Sequence, residues 1–109
     1  MNIDRLSPKD FNTKLKTKEF ILIDIRTYKE KLMYWYIEGT DHFFDVYMQE
    51  SVGKINWLDK DKKYLIYCFH WNRTQSVLWY MKEQWFKCVY DLVWGIDYWK
   101  NDWFELIKD

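Results

Sequence analysis

KKYLIYCFHWNRTQSVLWYMKEQWF, residues 62–86, begins as one kind of structure and ends as another. KKYLIYC is a short apolar run, rich in Tyr, Leu and Ile and too brief for a buried helix, so it reads as a central strand over 62–68. TQSVLWYMKEQWF then places Val77, Leu78, Met81 and Trp85 near one face at helical spacing, which predicts an amphipathic helix over 74–86. Cys68 closes the strand, and the five residues FHWNR lead into the helix. Parallel sheets place their ligand sites outside the carboxyl ends of the strands, and Cys68 stands at such an end.

The segments on either side continue the alternation. The first element is expected to be a helix capped by Ser7, with Pro8 in its first turn, Asp10 in a capping-box position, and Phe11 and Leu15 as its apolar stripe. FILIDI, residues 20–25, reads as a buried strand; Asp24 and Arg26 near its end fall on one face, within reach of a common neighbour. A short helix is expected over 27–35, then a brief strand and a turn around Gly39. VYMQESVGKINWL reads as a helix ended by Gly53. KCVYDL is a further strand, in which Cys88 alternates with Phe86 and Tyr90 and belongs to the core. GIDYWKNDWFELI supplies one or two short helices whose Trp99, Trp103, Phe104 and Leu106 pack on the sheet. Strand-like and helix-like patterns in turn predict an α/β sandwich with a mostly parallel central sheet flanked by helices, all in a single domain over residues 1–109.

Seventeen basic residues balance seventeen acidic ones, so no global field gathers nucleic acid or an anionic membrane. No apolar run approaches the roughly 20 residues of a transmembrane helix, and MNIDRLSPKDF lacks the blocks of a signal peptide. A cytoplasmic location is expected, with Cys68 and Cys88 both reduced. His42, Cys68, His70 and Cys88 lack the paired close spacings of a structural zinc site, so no metal is expected. The chain contains no alanine and three glycines, while Trp, Tyr and Phe form 22% of it, which points to heavy selection or redesign for bulky residues.

Amides at the start of a helix and a neighbouring arginine favour a thiolate over a thiol, and Arg73 stands five positions after Cys68. A cation is not electrostatically favoured in a helix's first turn, so Arg73 there points to an anion. His70 reads as a solvated loop residue, although an imidazole there is able to exchange a proton near neutral pH.

ILIDIRT, YIEGT, YLIYCFHWNRT and FKCVYDLVWGIDYW occur in the order and spacing of the single-domain rhodaneses, whose loop has the form C-x-x-G-x-R. The chain resembles this family from about Leu6 to Trp103. The resemblance implies a rhodanese-like three-layer sandwich and a sulfurtransferase that takes a sulfane sulfur from a small anionic donor such as thiosulfate. The sulfur would be held as a persulfide on Cys68 and passed to a thiol or cyanide, with no metal or organic cofactor. Phe69, His70, Trp71, Asn72 and Arg73 match the loop that cradles sulfur or donor, with Arg73 the arginine that ends it. Asp24 and Arg26 match the family's Asp-x-Arg and take a supporting role. The six-residue loop favours sulfur transfer over the phosphatases and arsenate reductases of similar fold, whose loop is a residue longer in the cell-cycle phosphatases. The chain is expected to act as a monomer or weak homo-oligomer.

The pattern breaks at its glycines. Trp71 stands where the loop motif has glycine, and Trp35, Trp85 and Trp94 replace family glycines elsewhere, marking an engineered or heavily substituted member. Tyr36 and Glu38 also replace a common His and Pro. If position 71 requires a positive φ, tryptophan costs roughly 1–2 kcal/mol there, and its indole is large enough to cover the anion pocket. The alternative reading is therefore a catalytically silent binding or scaffold domain with Trp71 blocking the pocket.

Overall fold

The structure, a computed structural model, describes residues 2–26, 29, 35–45, 49–68, 72–93, 95–101 and 104–107. Its elements are β1 (Asn2–Leu6), α1 (Pro8–Lys16), β2 (Phe20–Asp24), β3 (His42–Phe43), α2 (Gln49–Asn56), β4 (Lys63–Tyr67), α3 (Asn72–Glu83), β5 (Cys88–Leu92) and α4 (Gly95–Asn101). The five strands form one sheet in the order β1-β5-β4-β2-β3. Every pairing in it is parallel, with Ile23 opposite Ile66 and Asp24 opposite Tyr67 at the centre. The α/β sandwich expected from the alternation is thus present, and its named strands contain no antiparallel member.

A parallel sheet is covered on both faces, and the two faces of β4 account for both layers. Tyr64 and Ile66 point to one side, where Ile23, Ile25 and Val89 meet Ile55 of α2 and Val77, Leu78 and Met81 of α3. Leu65 and Tyr67 point to the other, where Leu22 and Leu92 meet Phe11 of α1 with Ile96 and Trp99 of α4. The Phe11 and Trp99 rings meet edge to face at 5.9 Å, a geometry aromatic quadrupoles favour. Phe104 and Leu106 pack against this second layer as expected; Trp103 lies outside the described residues, as does most of the helix expected over 27–35.

Three element assignments differ from the sequence reading. The chain opens on a strand, not a helix: β1 pairs along its whole length with β5, from Asn2 beside Cys88 to Leu6 beside Leu92. NIDRL carries too few apolar residues to announce itself locally, and the pairing edge of β5 makes it a strand. The helix then follows as expected, with Ser7 Oγ accepting from the Asp10 amide at 3.2 Å. Gly53 does not end its helix; α2 runs on to Asn56, which brings Ile55 into the core. Burial of one isoleucine outweighs the roughly 1 kcal/mol that an internal glycine costs a helix.

Trp85 is the third difference. It lies 75% exposed and off the core face, at φ +69°, just past the end of α3. Its amide donates to Lys82 O at 3.1 Å and the Phe86 amide donates to Met81 O at 3.1 Å, the paired bonds of a Schellman cap with Trp85 in the left-handed position. Phe86, fully buried, then packs in the same layer as Met81 and Val89, whereas Cys88 lies on the opposite face of the sheet with Tyr90. The alternation assigned to Phe86, Cys88 and Tyr90 therefore holds only from Cys88 onward. Trp35, Trp57 and Trp79 are also exposed, so among the described residues Trp99 is the tryptophan that enters the core.

Candidate active site at the carboxyl end of the sheet

From β2 the chain places β3 on one side and β4 on the other, so the direction of winding reverses between β2 and β4. Crevices at such reversals receive ligands in open parallel sheets. Cys68 follows β4 directly, Ile25 and Arg26 follow β2, and the two strand ends are joined by the Ile25 amide donating to Tyr67 O at 2.7 Å. The Cys68 carbonyl accepts from the Ile96 amide at 3.0 Å, which fixes its backbone against the start of α4.

The Cys68 side chain is 1% exposed. Its thiol donates to Thr74 Oγ1 at 3.8 Å, and the Thr74 hydroxyl donates to Asp91 Oδ2 at 2.9 Å. Arg5 from the edge strand closes this line on Asp91, through Nε at 3.0 and 3.1 Å and Nη2 at 2.9 Å. A buried carboxylate without such partners would cost several kcal/mol.

On the other face of the sheet a second pair, with both partners buried, stands behind the same strand end. Arg26 forks onto Asp24, with Nη2 2.7 Å from Oδ2, and its Nη1 donates to Trp35 O at 2.9 Å. The two residues that sequence reasoning placed on one face therefore bind each other, and the arginine also anchors the segment entering Tyr36. Tyr67 extends this anchoring. Its hydroxyl accepts from the Ile37 amide at 3.2 Å and lies 2.8 Å from Thr40 Oγ1. Because Thr40 donates its own hydrogen to Ile37 O at 2.6 Å, Tyr67 is the donor to Thr40. Burial, followed by the Asp24 carboxylate, pushes the Tyr67 hydroxyl far up, so it stays protonated.

Of the loop residues expected to cradle sulfur or donor, Phe69, His70 and Trp71 lie outside the described residues, and Asn72 and Arg73 open α3. The first amides of that helix have no intrahelical partners and follow Cys68 by one short loop. Cys88 is remote: it pairs with Lys63, five residues before Cys68, or about 16 Å along a strand. A disulfide between the two is excluded, since it requires α-carbons within about 7 Å. Among the described residues no group of three or more His, Cys, Asp or Glu side chains is arranged to hold a metal, and no helix is long and apolar enough to cross a membrane.

Sequence reasoning missed Arg5, Thr74 and Asp91. Asp91 was the readable signal: a lone carboxylate in the apolar strand CVYDL has to find a buried partner.

The rhodanese-like domain profile matches residues 7–102. The thiosulfate sulfurtransferase GlpE of Coxiella burnetii is 34% identical over 89 residues, covering 79% of this chain and 77% of that protein. A rhodanese-related protein from Thermoplasma volcanium superposes with a TM-score of 0.80 at 20% identity, over 97% of this chain and 99% of that one. The polysulfide-sulfur transferase homodimer of Wolinella succinogenes gives 0.78 at 23% identity, over 98% and 80%. With the strand order, the cysteine at the carboxyl end of β4 and these matches together, the chain belongs to the rhodanese-like domain family.

Proposed function

We propose that this domain, acting as a single unit over residues 1–109, is a sulfurtransferase whose nucleophile is Cys68. The observation that carries the reading is the position of Cys68, directly after the central strand β4 and one short loop before α3. In the proposed reaction the Cys68 thiolate attacks the outer sulfur of a donor such as thiosulfate. A bond forms between the two sulfurs, and sulfite leaves with the electron pair of the bond that breaks. A thiol or cyanide then attacks the outer sulfur of the persulfide and releases the Cys68 thiolate, so the cycle requires no cofactor. Amides of residues 69–73 stabilise the charge on sulfur, Arg73 binds the anionic donor, and Phe69, His70, Trp71 and Asn72 line the site. Asp24 and Arg26 support it by holding the neighbouring strand end. The similarity to a protein named thiosulfate sulfurtransferase supports the donor class. Two unpaired cysteines fit a cytoplasmic setting.

A second reading is a catalytically silent domain closed by Trp71, and the near-complete shielding of Cys68 favours it. Intact mass after incubation with thiosulfate separates the two. One added sulfur, removed by cyanide and absent in Cys68→Ser, is expected of the enzyme. A gain seen only in Trp71→Gly marks a pocket closed by the indole, and no gain in either refutes sulfur transfer.

A further inference from the structure

The line Cys68–Thr74–Asp91–Arg5 takes no part in the sulfur-transfer steps above, yet it ends on the sulfur. Its direction is fixed by chemistry. An ionised carboxylate only accepts, so the single hydroxyl hydrogen of Thr74 lies toward Asp91 at 2.9 Å. Thr74 Oγ1 is then an acceptor toward Cys68, and the 3.8 Å contact suits a thiol, not a thiolate. When Cys68 loses its proton to solvent, the Thr74 hydroxyl becomes a donor to the thiolate only if it rotates from Asp91 to Sγ. Neither Thr74 nor Asp91 changes its proton count in that exchange.

We propose that Asp91 is a positioning residue that governs the reactivity of Cys68 by competing with its sulfur for the Thr74 hydroxyl hydrogen. Arg5 moderates the competition, because its fork on the carboxylate compensates Asp91 when the hydroxyl turns away. The surroundings isolate the effect. Among the described residues, Cys68 shares its side of the sheet with Ile23 of β2, Ile25 just after it, Ile55 from α2, and Val77 and Leu78 from α3, while Tyr64 of β4 and His42 of β3, stacked on Phe44, bring the ionisable side chains of that face. Asp91 from β5 and Arg5 from β1 are the charged groups on the described line to the sulfur, and Arg73 is the second residue of α3. Asp24 and Arg26 are paired to each other.

The inference rests on Cys68 being the reactive cysteine, so its test uses alkylation, which does not require sulfur transfer. The rate of Cys68 modification by iodoacetamide is followed from pH 5 to 10 by peptide mass mapping, with Cys88 as internal reference. Asp91→Asn removes the charge and weakens the acceptor, and is expected to lower the pH midpoint by about one unit, roughly a tenfold gain in rate below the midpoint. Thr74→Val removes the only hydroxyl in the exchange and is expected to raise the midpoint. In the Thr74→Val background, the shift caused by Asp91→Asn should fall to less than half.

Loosening of the fold would instead move both single variants the same way and accelerate Cys88 as well, which would overturn the proposal. An unchanged midpoint in Asp91→Asn, or an equal shift with and without Thr74, would overturn it too. If Asp91→Asn does not fold, the sign of the Thr74→Val shift decides. A parent Cys68 that reacts no faster than Cys88 at any pH would refute its role as nucleophile, an outcome distinct from failure of the Asp91 exchange.

Discussion

Replacing Trp85 by glycine should stabilise this protein, although it deletes the largest side chain available. Trp85 occupies the left-handed position of the Schellman cap after α3, at φ +69°. A residue bearing a Cβ pays about 1–2 kcal/mol in that conformation, a penalty glycine escapes. Glycine returns about 0.4–1 kcal/mol of that through the greater freedom of its unfolded chain. The indole contributes little in exchange, because 75% exposure is about what a residue has in a compact denatured ensemble. Both capping bonds are backbone bonds and survive. The net gain is about 0.5–1 kcal/mol, or a rise in Tm of about 3–6 °C for a domain of this size. Thermal and urea unfolding followed by circular dichroism measure it directly. Trp85→Ala keeps the Cβ and should gain nothing, whereas Trp79→Gly, in the exposed interior of α3, should lower Tm. Equal gains in Trp85→Gly and Trp85→Ala would refute the argument from backbone strain, as would a loss of stability in Trp85→Gly.

Arg26→Met leaves the Asp24 carboxylate buried without its partner and should cost about 3–5 kcal/mol by urea titration, while the double change Asp24→Leu with Arg26→Met should recover most of that. Phe11→Ala should cost about 3–5 kcal/mol by the same titration, because the ring on α1 is fully buried against Trp99 and the sheet. Burial, then the nearby Asp59 charge, pushes the Tyr64 hydroxyl up to about 12 from 10. A raised value means that the unfolded chain ionises first, so this contribution is intact below pH 10 and is lost as pH rises through about 12. The alkaline fall in stability should be shallower in Tyr64→Phe, and an unchanged slope would contradict that assignment.

The parts of the fold that the sequence disclosed are those in which local pattern and tertiary demand agree. KYLIY is apolar at nearly every position because both faces of β4 are buried, and Ser7-Pro8 marks α1 because a helix start needs those residues in any context. β1 was hidden because an edge strand bonded along one side needs little apolar character of its own. Trp85 misled for a related reason: its spacing fits the buried stripe of α3, but the chain has already left the helix when it reaches that residue. At the site, Cys68 was legible from the strand-to-loop transition that precedes it. Thr74 and Arg5 were not, and Asp91 showed only as a carboxylate in an apolar strand, because a hydrogen-bonded line across β4, α3, β5 and β1 joins residues as far apart as positions 5 and 91.

Two arginine–carboxylate pairs, one on each face of the sheet and each with a buried carboxylate, converge behind the same strand end. Neither is an economical source of stability, because removing two charges from water costs about as much as their attraction returns, and well-packed apolar residues would serve the core as well. What an ion pair supplies and an apolar contact does not is direction. Arg26 binds Asp24 and one carbonyl, that of Trp35, and so ties the chain after β2 to the segment that turns at Gly39. Asp91 aligns the Thr74 hydroxyl, and Thr74 in turn meets the sulfur of Cys68. Cys68 itself is held at its carbonyl by α4. The strand end is thus oriented from both layers by contacts made outside residues 69–73. Trp71 in the place of glycine tests that separation. Substitutions within the loop would alter access and affinity, whereas the orientation of the sulfur is set by residues on α3, β5 and β1.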